Sequence, residues 1–147
     1  MDEAVVEVLP DDSTFLSVEH FGTSPWTITG RVIALEVDGE EQSYFLKVAF
    51  EDHGKIMLRG EYESSKIVFG VMKNFLPKPY GFGKYKVQNP PTYFYLSEFV
   101  DMDVTTAPDP AEFTKRLSQL HKLGESPTGQ FGFAAQTCDG QVAHMVD

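Results

Sequence analysis

Tyr44–Ser64, YFLKVAFEDHGKIMLRGEYES, is the stretch whose reading decides the fold. Its opening residues alternate. Tyr44, Leu46, Val48 and Phe50 fall on one face of a strand, and Phe45, Lys47 and Ala49 on the other. A strand apolar on both faces is expected to be covered on both sides, which shields Lys47 from bulk water. An ammonium in that setting requires an anionic partner, because burying an unpaired charge is expensive. Beyond the strand the period becomes helical over residues 55–72, where Met57, Glu61, Ser65, Val68 and Met72 form one stripe. Glu61 therefore sits among residues expected to face the sheet and is the nearest candidate partner.

A lysine on a third strand joined to a glutamate on the next helix is the device by which protein kinases hold nucleotide phosphates. The same spacing also suits an ordinary structural ion pair, or two side chains whose aliphatic stems snorkel along apolar surface. The elements around the pair bear on this choice. Residues 14–21 (TFLSVEHF) read as a strand, Gly22-Thr23-Ser24-Pro25 breaks it, and residues 26–36 (WTITGRVIALE) read as a second. Asp38-Gly39 is a hairpin signal into the Lys47 strand. After the helix, Pro77, Pro79, Gly81 and Gly83 read as an interruption, followed by a short strand near 85–87, a turn at Asn89-Pro90-Pro91 and a strand over 92–99. The expected fold is α+β: a five-stranded antiparallel sheet with one packed helix, the architecture of the smaller lobe of a kinase.

After Met102 the pattern changes. Asp103–Asp109 reads as a polar linker. Asp109 then caps a helix with Pro110 at its first position and Glu112 three residues after the cap. Phe113, Leu117 and Leu120 make its apolar stripe, and Gly124 is a natural stop. The remainder is rich in Gly, Thr, Gln and Ser, with Phe131 and Phe133 among few large apolar residues. The division expected is a lobe over 1–102 and a linker, helix and tail over 103–147.

Composition excludes several classes. The chain has 147 residues, 41% apolar and 13% aromatic, enough for a single globular domain. Its formal charge of −10 disfavours nucleic acid and anionic membranes as partners. No apolar run approaches the ~20 residues of a membrane span, and the acidic MDEAVVEVLPDD is unlike a signal peptide. One cysteine, Cys138, builds no disulfide framework, so a reducing cytoplasmic setting is expected. The histidines, His20, His53, His121 and His144, lack metal-site spacing. No G-x-S-x-G elbow is present, and Glu51-Asp52 and Asp101/Asp103 read as acids in turns.

The segments FGTSPWTITGRV (21–32), DGEEQSYFLKV (38–48), GEYESSKIV (60–68), FLPKPYGFG (75–83), YFYLSEFVDM (93–102), FTKRLSQLHKLGESPTGQFGF (113–133) and TCDG (137–140) together resemble the N-terminal half of a fungal fructosamine/ketosamine kinase, or protein-ribulosamine 3-kinase. The resemblance runs from about residue 15 to residue 140; GEYES and SPTGQFGF are its most specific blocks. It implies ATP-dependent phosphorylation, with Mg in the complete enzyme, of a ribulosamine or fructosamine on a protein lysine at the 3-hydroxyl. That phosphate makes the adduct labile, which is deglycation repair. It further implies that Lys47 holds the α/β phosphates, Glu61 orients Lys47, Gly22, Thr23 and Ser24 cover the phosphates, and main-chain groups of Glu98, Phe99 and Val100 line the adenine. The loop has one glycine before Gly30, short of a full G-x-G-x-x-G, and lacks the cysteine that some relatives carry there.

Absent are an H-G-D-x-W-x-x-N motif, whose aspartate accepts the substrate proton, and a later aspartate for magnesium. The expectation is a truncated kinase lobe inactive alone. The alternative is a non-catalytic binding or interaction module derived from such a lobe. The helix stripe with Phe131 and Phe133 is then a bare apolar surface over 110–133, suited to a homodimer.

Overall fold

The computed structural model describes residues 1–126, 129–130, 132–140 and 142–144. Strand β3 (Glu41–Phe50) is the middle of a five-stranded antiparallel sheet of order β1-β2-β3-β5-β4. Its neighbours are β2 (Ile28–Leu35) and β5 (Thr92–Glu98), with β1 (Thr14–His20) and β4 (Pro79–Lys84) at the edges. The Asp38-Gly39 turn forms as its residue types require: Gly39 adopts φ 84, and the Asp38 carboxylate accepts the Glu40 N–H at 3.0 Å. Register carries the alternation across the sheet. Lys47 lies opposite Thr29 on one side and Tyr95 on the other.

The two faces are covered differently. On the outer face Tyr44, Leu46, Val48, Phe94 and Leu96 form a core that the N-terminal segment closes, through Val5 (fully buried) and Leu9. The segment contains a one-turn helix, α1 (Glu3–Val6), absent from the sequence reading. Asp2 caps it by accepting from Ala4 N–H at 2.9 Å, and Lys86 ties it down through Glu3 and Glu7. Helix α2 (Glu51–Val71) packs on the inner face, where Leu58 meets Ala49, Tyr93 and Tyr95.

Three expectations need correction. The strand expected near 85–87 lies instead at Pro79–Lys84. Proline and glycine usually signal interruption, but β4 is an edge strand and Pro79 is its first residue, a position that tolerates a missing N–H. Its glycines answer to packing: a Cβ on Gly81 would lie 2.6 Å from Val8, and one on Gly83 2.7 Å from the Phe94 ring.

Glu51 and Asp52 do not form a separate turn; they open α2, which begins four residues before the expected start. The reversal from β3 is abrupt. Glu51 takes φ 60, rare for a residue with a side chain, and its N–H donates to Pro91 O at 2.7 Å. A Cβ on Gly54 would lie 2.7 Å from the Ala49 carbonyl carbon, so only glycine lets the first turn sit on the end of the strand.

The buried stripe of α2 also differs from the expected one. It is Gly54, Leu58, Gly60 and Ser65, with Met57 and Tyr62 at its margin and Met72 just past the helix end.

Helix α3 (Pro110–Leu123) has the expected limits: Asp109 accepts from Ala111 N–H at 2.8 Å, and the helix stops before Gly124. None of its residues is fully buried, and Phe113 is 52% exposed. Arg116 donates to the Asn74 carbonyl and so ties α3 to the turn that follows α2. A small hairpin, β6 (Cys138–Asp139) with β7 (Val142–Ala143), ends the described chain. Phe131 lies outside the described residues. Among those described, no helix is long and apolar enough to cross a membrane.

Candidate functional site

Lys47 leaves β3 on the inner face, and its Nζ donates to Glu61 Oε1 at 2.6 Å. The rotation of α2 is set next door. Tyr62 packs against Tyr95 at 6.0 Å and Phe82 at 6.3 Å, which directs the adjoining Glu61 along the sheet towards Lys47. The two side chains are 28% and 35% exposed. A pair this open adds about 1 kcal/mol or less to stability, so fold energetics give little reason for it. A half-buried ammonium held in one place can instead receive an anion.

Helix α2 covers the Ala49–Tyr93–Tyr95 end of the inner face and leaves the other end to an aromatic cluster. Phe45 lies two residues from Lys47 on the same face of β3, and the Lys47 ammonium is 6.0 Å from its ring centre. Phe21, just past β1, meets Phe45 edge-on at 6.2 Å and Phe99 at 4.8 Å. The Arg31 guanidinium sits 4.8 Å over the Phe99 ring, held by Ser43 Oγ at 2.9 Å and Glu19 at 3.7 Å. The result is an apolar aromatic surface running up to a positive charge. Its chemistry suits a ligand with a flat ring and an anionic tail.

The loop after β1 borders this surface. Gly22 turns it at φ 72, and Phe21 and Thr29 close its base by two hydrogen bonds, Phe21 N–H to Thr29 O at 3.2 Å and Thr29 Oγ1 to Phe21 O at 2.5 Å. Ser24 Oγ points inward, accepting from the N–H groups of Trp26 (3.3 Å) and Thr27 (3.2 Å) and from Thr27 Oγ1 (2.9 Å). Its hydroxyl thus shapes the loop, so a ligand would meet main chain there. At the end of β5, Glu98 donates its N–H to Lys78 O at 2.8 Å and accepts from Lys78 N–H through Oε2 at 3.0 Å. The Glu98 N–H is thereby committed to the sheet.

The structure therefore brings Lys47, Glu61 and Phe99 onto one face, with the Gly22–Ser24 loop at its border. Phe21, Phe45 and Arg31 were not singled out as site residues. Phe45 carried a usable signal in sharing the parity of Lys47. Phe21 and Phe99 meet because both rings lie on the inner face beside Phe45, although β1 and β5 run in opposite directions and are not neighbours, which neither local sequence reveals.

A hollow of about 690 Å³ lies elsewhere, on the outer face between Val18, Ile28, Val48 and Tyr85. Its lining includes Met1, Asp2, Glu19, His20 and Tyr85, with no lysine or arginine side chain. Burial pushes the thiol of Cys138 up, away from the thiolate form that would make it reactive.

A five-stranded antiparallel sheet with a helix packed on one face, joined by a strand lysine and a helix glutamate, is the architecture of a kinase's smaller lobe. The particular kinase follows from comparison: residues 27–145 match the family model for fructosamine kinase, and the chain belongs to that family. No curated protein and no solved structure matched the chain.

Proposed function

We propose that this chain is the nucleotide-holding lobe, over residues 1–102, of an enzyme that phosphorylates protein-bound ribulosamine or fructosamine at the 3-hydroxyl for deglycation repair in the cytoplasm. The observation that carries the reading is the 2.6 Å Lys47–Glu61 pair beside an uncovered aromatic surface. The fungal type rests on the segments quoted above. When bound, ATP with its Mg would supply the phosphoryl group. Lys47 neutralises the α/β phosphates and Glu61 holds Lys47 in place. The Gly22-Thr23-Ser24 main chain covers the phosphates. The strand end at Glu98, Phe99 and Val100 meets the adenine edge, and Phe45 and Phe99 exclude water beneath it.

Phosphoryl transfer also needs a group to accept the hydroxyl proton, and no motif in these 147 residues provides one. The expected behaviour is ATP binding in the millimolar range or weaker, without turnover, since half of a cleft loses both contacts and desolvation. Calorimetric titration with ATP tests this. Binding abolished by Lys47→Met supports the reading, whereas no heat at millimolar ATP, or binding that Lys47→Met leaves unchanged, overturns it. Sustained ribulosamine phosphorylation by the chain alone would overturn the assignment as a lobe that needs further residues.

A second reading rests on the α3 stripe, where Phe113 is 52% exposed and Leu117 and Leu120 are half-buried. We propose that this face, within 110–133, joins two copies of the chain. Sedimentation should show a dimer that Phe113→Ser with Leu117→Ser converts to a monomer; a monomeric unsubstituted chain refutes it.

A further inference from the structure

The hairpin at the end of the described chain touches the two elements that flank the Lys47 face. It is closed by His144 N–H to Thr137 O at 2.8 Å, by Gln136 Nε2 to His144 O at 2.8 Å, and by a 3.0 Å contact between Thr137 Oγ1 and His144 Nδ1. At its base the Gln136 carbonyl lies against α2: a Cβ on Gly60 would come within 2.1 Å of that oxygen and 3.0 Å of Thr137 Cα. Glycine is a poor residue for a helix interior, so its presence in the middle of α2, next to Glu61, marks a close approach. At the turn, Gly140 takes φ 55, and a Cβ there would lie 3.0 to 3.1 Å from three atoms of the Trp26 indole. Trp26 belongs to the loop that carries Gly22 and Ser24, and Ser24 Oγ accepts its N–H.

We infer that the 136–144 hairpin is a clamp between the glycine loop and the Glu61 helix, seated on Gly60 at one end and on Trp26 at the other. This rests on the nucleotide reading above for its purpose, though not for its mechanics. A hydrogen-bonded two-stranded piece in contact with both elements transmits a shift of α2 to the loop. The loop's position over bound phosphates then depends on residues far away in sequence. Gly60 and Gly140 are positioning residues: they touch no ligand and act through the seats they provide.

Trp26 is the chain's single tryptophan, so tryptophan emission reports the surroundings of the Gly140 seat. Gly60→Ala raises helix propensity while obstructing the seat, so α2 should remain helical by circular dichroism. Trp26 emission should shift, and amide exchange over 22–27 should quicken. Gly140→Val attacks the other seat and should produce the same two changes. Gly70→Ala is the control, because nothing lies within 4 Å of a Cβ there; it should change neither. ATP affinity should fall about fivefold or more in both seat variants and stay constant in the control. The clamp is overturned if Gly60→Ala leaves emission and exchange at the unsubstituted values. It is equally overturned if they change while ATP affinity does not. If the unsubstituted chain binds no ATP, the nucleotide reading falls, and the emission and exchange changes decide the mechanical clamp by themselves.

Discussion

The two faces of the sheet differ in what they carry and in how they are covered. On the outer face Tyr44, Leu46, Val48, Phe94 and Leu96 are all buried, and the N-terminal segment seals them with Val5 and Leu9. On the inner face α2 buries Ala49, Tyr93 and Tyr95, but Phe21 stays 40% exposed and Lys47 and Glu61 are only half-buried. The covered part of the outer face contributes stability through burial. A half-sealed face gives up some of that stability and keeps a charge and ring surfaces available. What separates the two is the length and placement of one helix more than residue type.

The comparison breaks hardest at Phe94. Its ring is fully buried in the outer core beneath Gly83, and Phe94→Ala should cost about 3–5 kcal/mol in urea unfolding. That is a large share of the roughly 5–15 kcal/mol typical of a domain. A loss below about 1 kcal/mol would mean that the outer face is not the main core. Leu9→Ala should cost about 2 kcal/mol, at the low end for buried leucine, because Leu9 is 8% exposed and sits at the rim. An unchanged midpoint would show that the N-terminal segment does not seal this face.

Lys47→Met makes the opposite test on the inner face. Stability should change by about 1 kcal/mol or less, since the pair is partly solvated, while ATP binding is lost. A large fall in stability would instead assign Lys47 to the fold.

The smallest effect lies outside both faces. Hydrogen bonds from the Thr105 hydroxyl and N–H hold the Asp103 carboxyl down at about 2, against an ordinary 3.8. A depressed carboxylate favours the folded turn above pH 3.8 and loses that contribution as pH falls through about 2. The Thr105 amide resonance should therefore titrate with a midpoint near 2. A midpoint near 3.8 would show that the Asp103–Thr105 turn does not persist in solution.

Much of the architecture was legible because its determinants are local. Alternation around Lys47, the Asp38-Gly39 turn and the Asp109-Pro110 start each set backbone geometry within a few residues. Each of these elements stands where it was read. The Lys47–Glu61 pair was legible too, since a charge in an apolar strand restricts what may stand opposite it. Where reading failed, the cause was contact at a distance. Pro79, Gly81 and Gly83 punctuate a chain locally, yet they fit an edge strand with Val8 and Phe94 pressed against its glycines. Val5 and Leu9 occur in an acidic, Pro-interrupted stretch with no period, and only the bare outer face of the sheet gives them a place.

The sequence by itself thus determined four of the five sheet strands, the two long helices and one charged pair, because hydrogen-bonding geometry and burial period act over short distances. Tertiary structure alone decided which glycine answers which neighbour, which rings meet around Phe99, and which half of the inner face stays open. Those depend on how elements distant in the chain exclude one another's volume, and no local pattern records that.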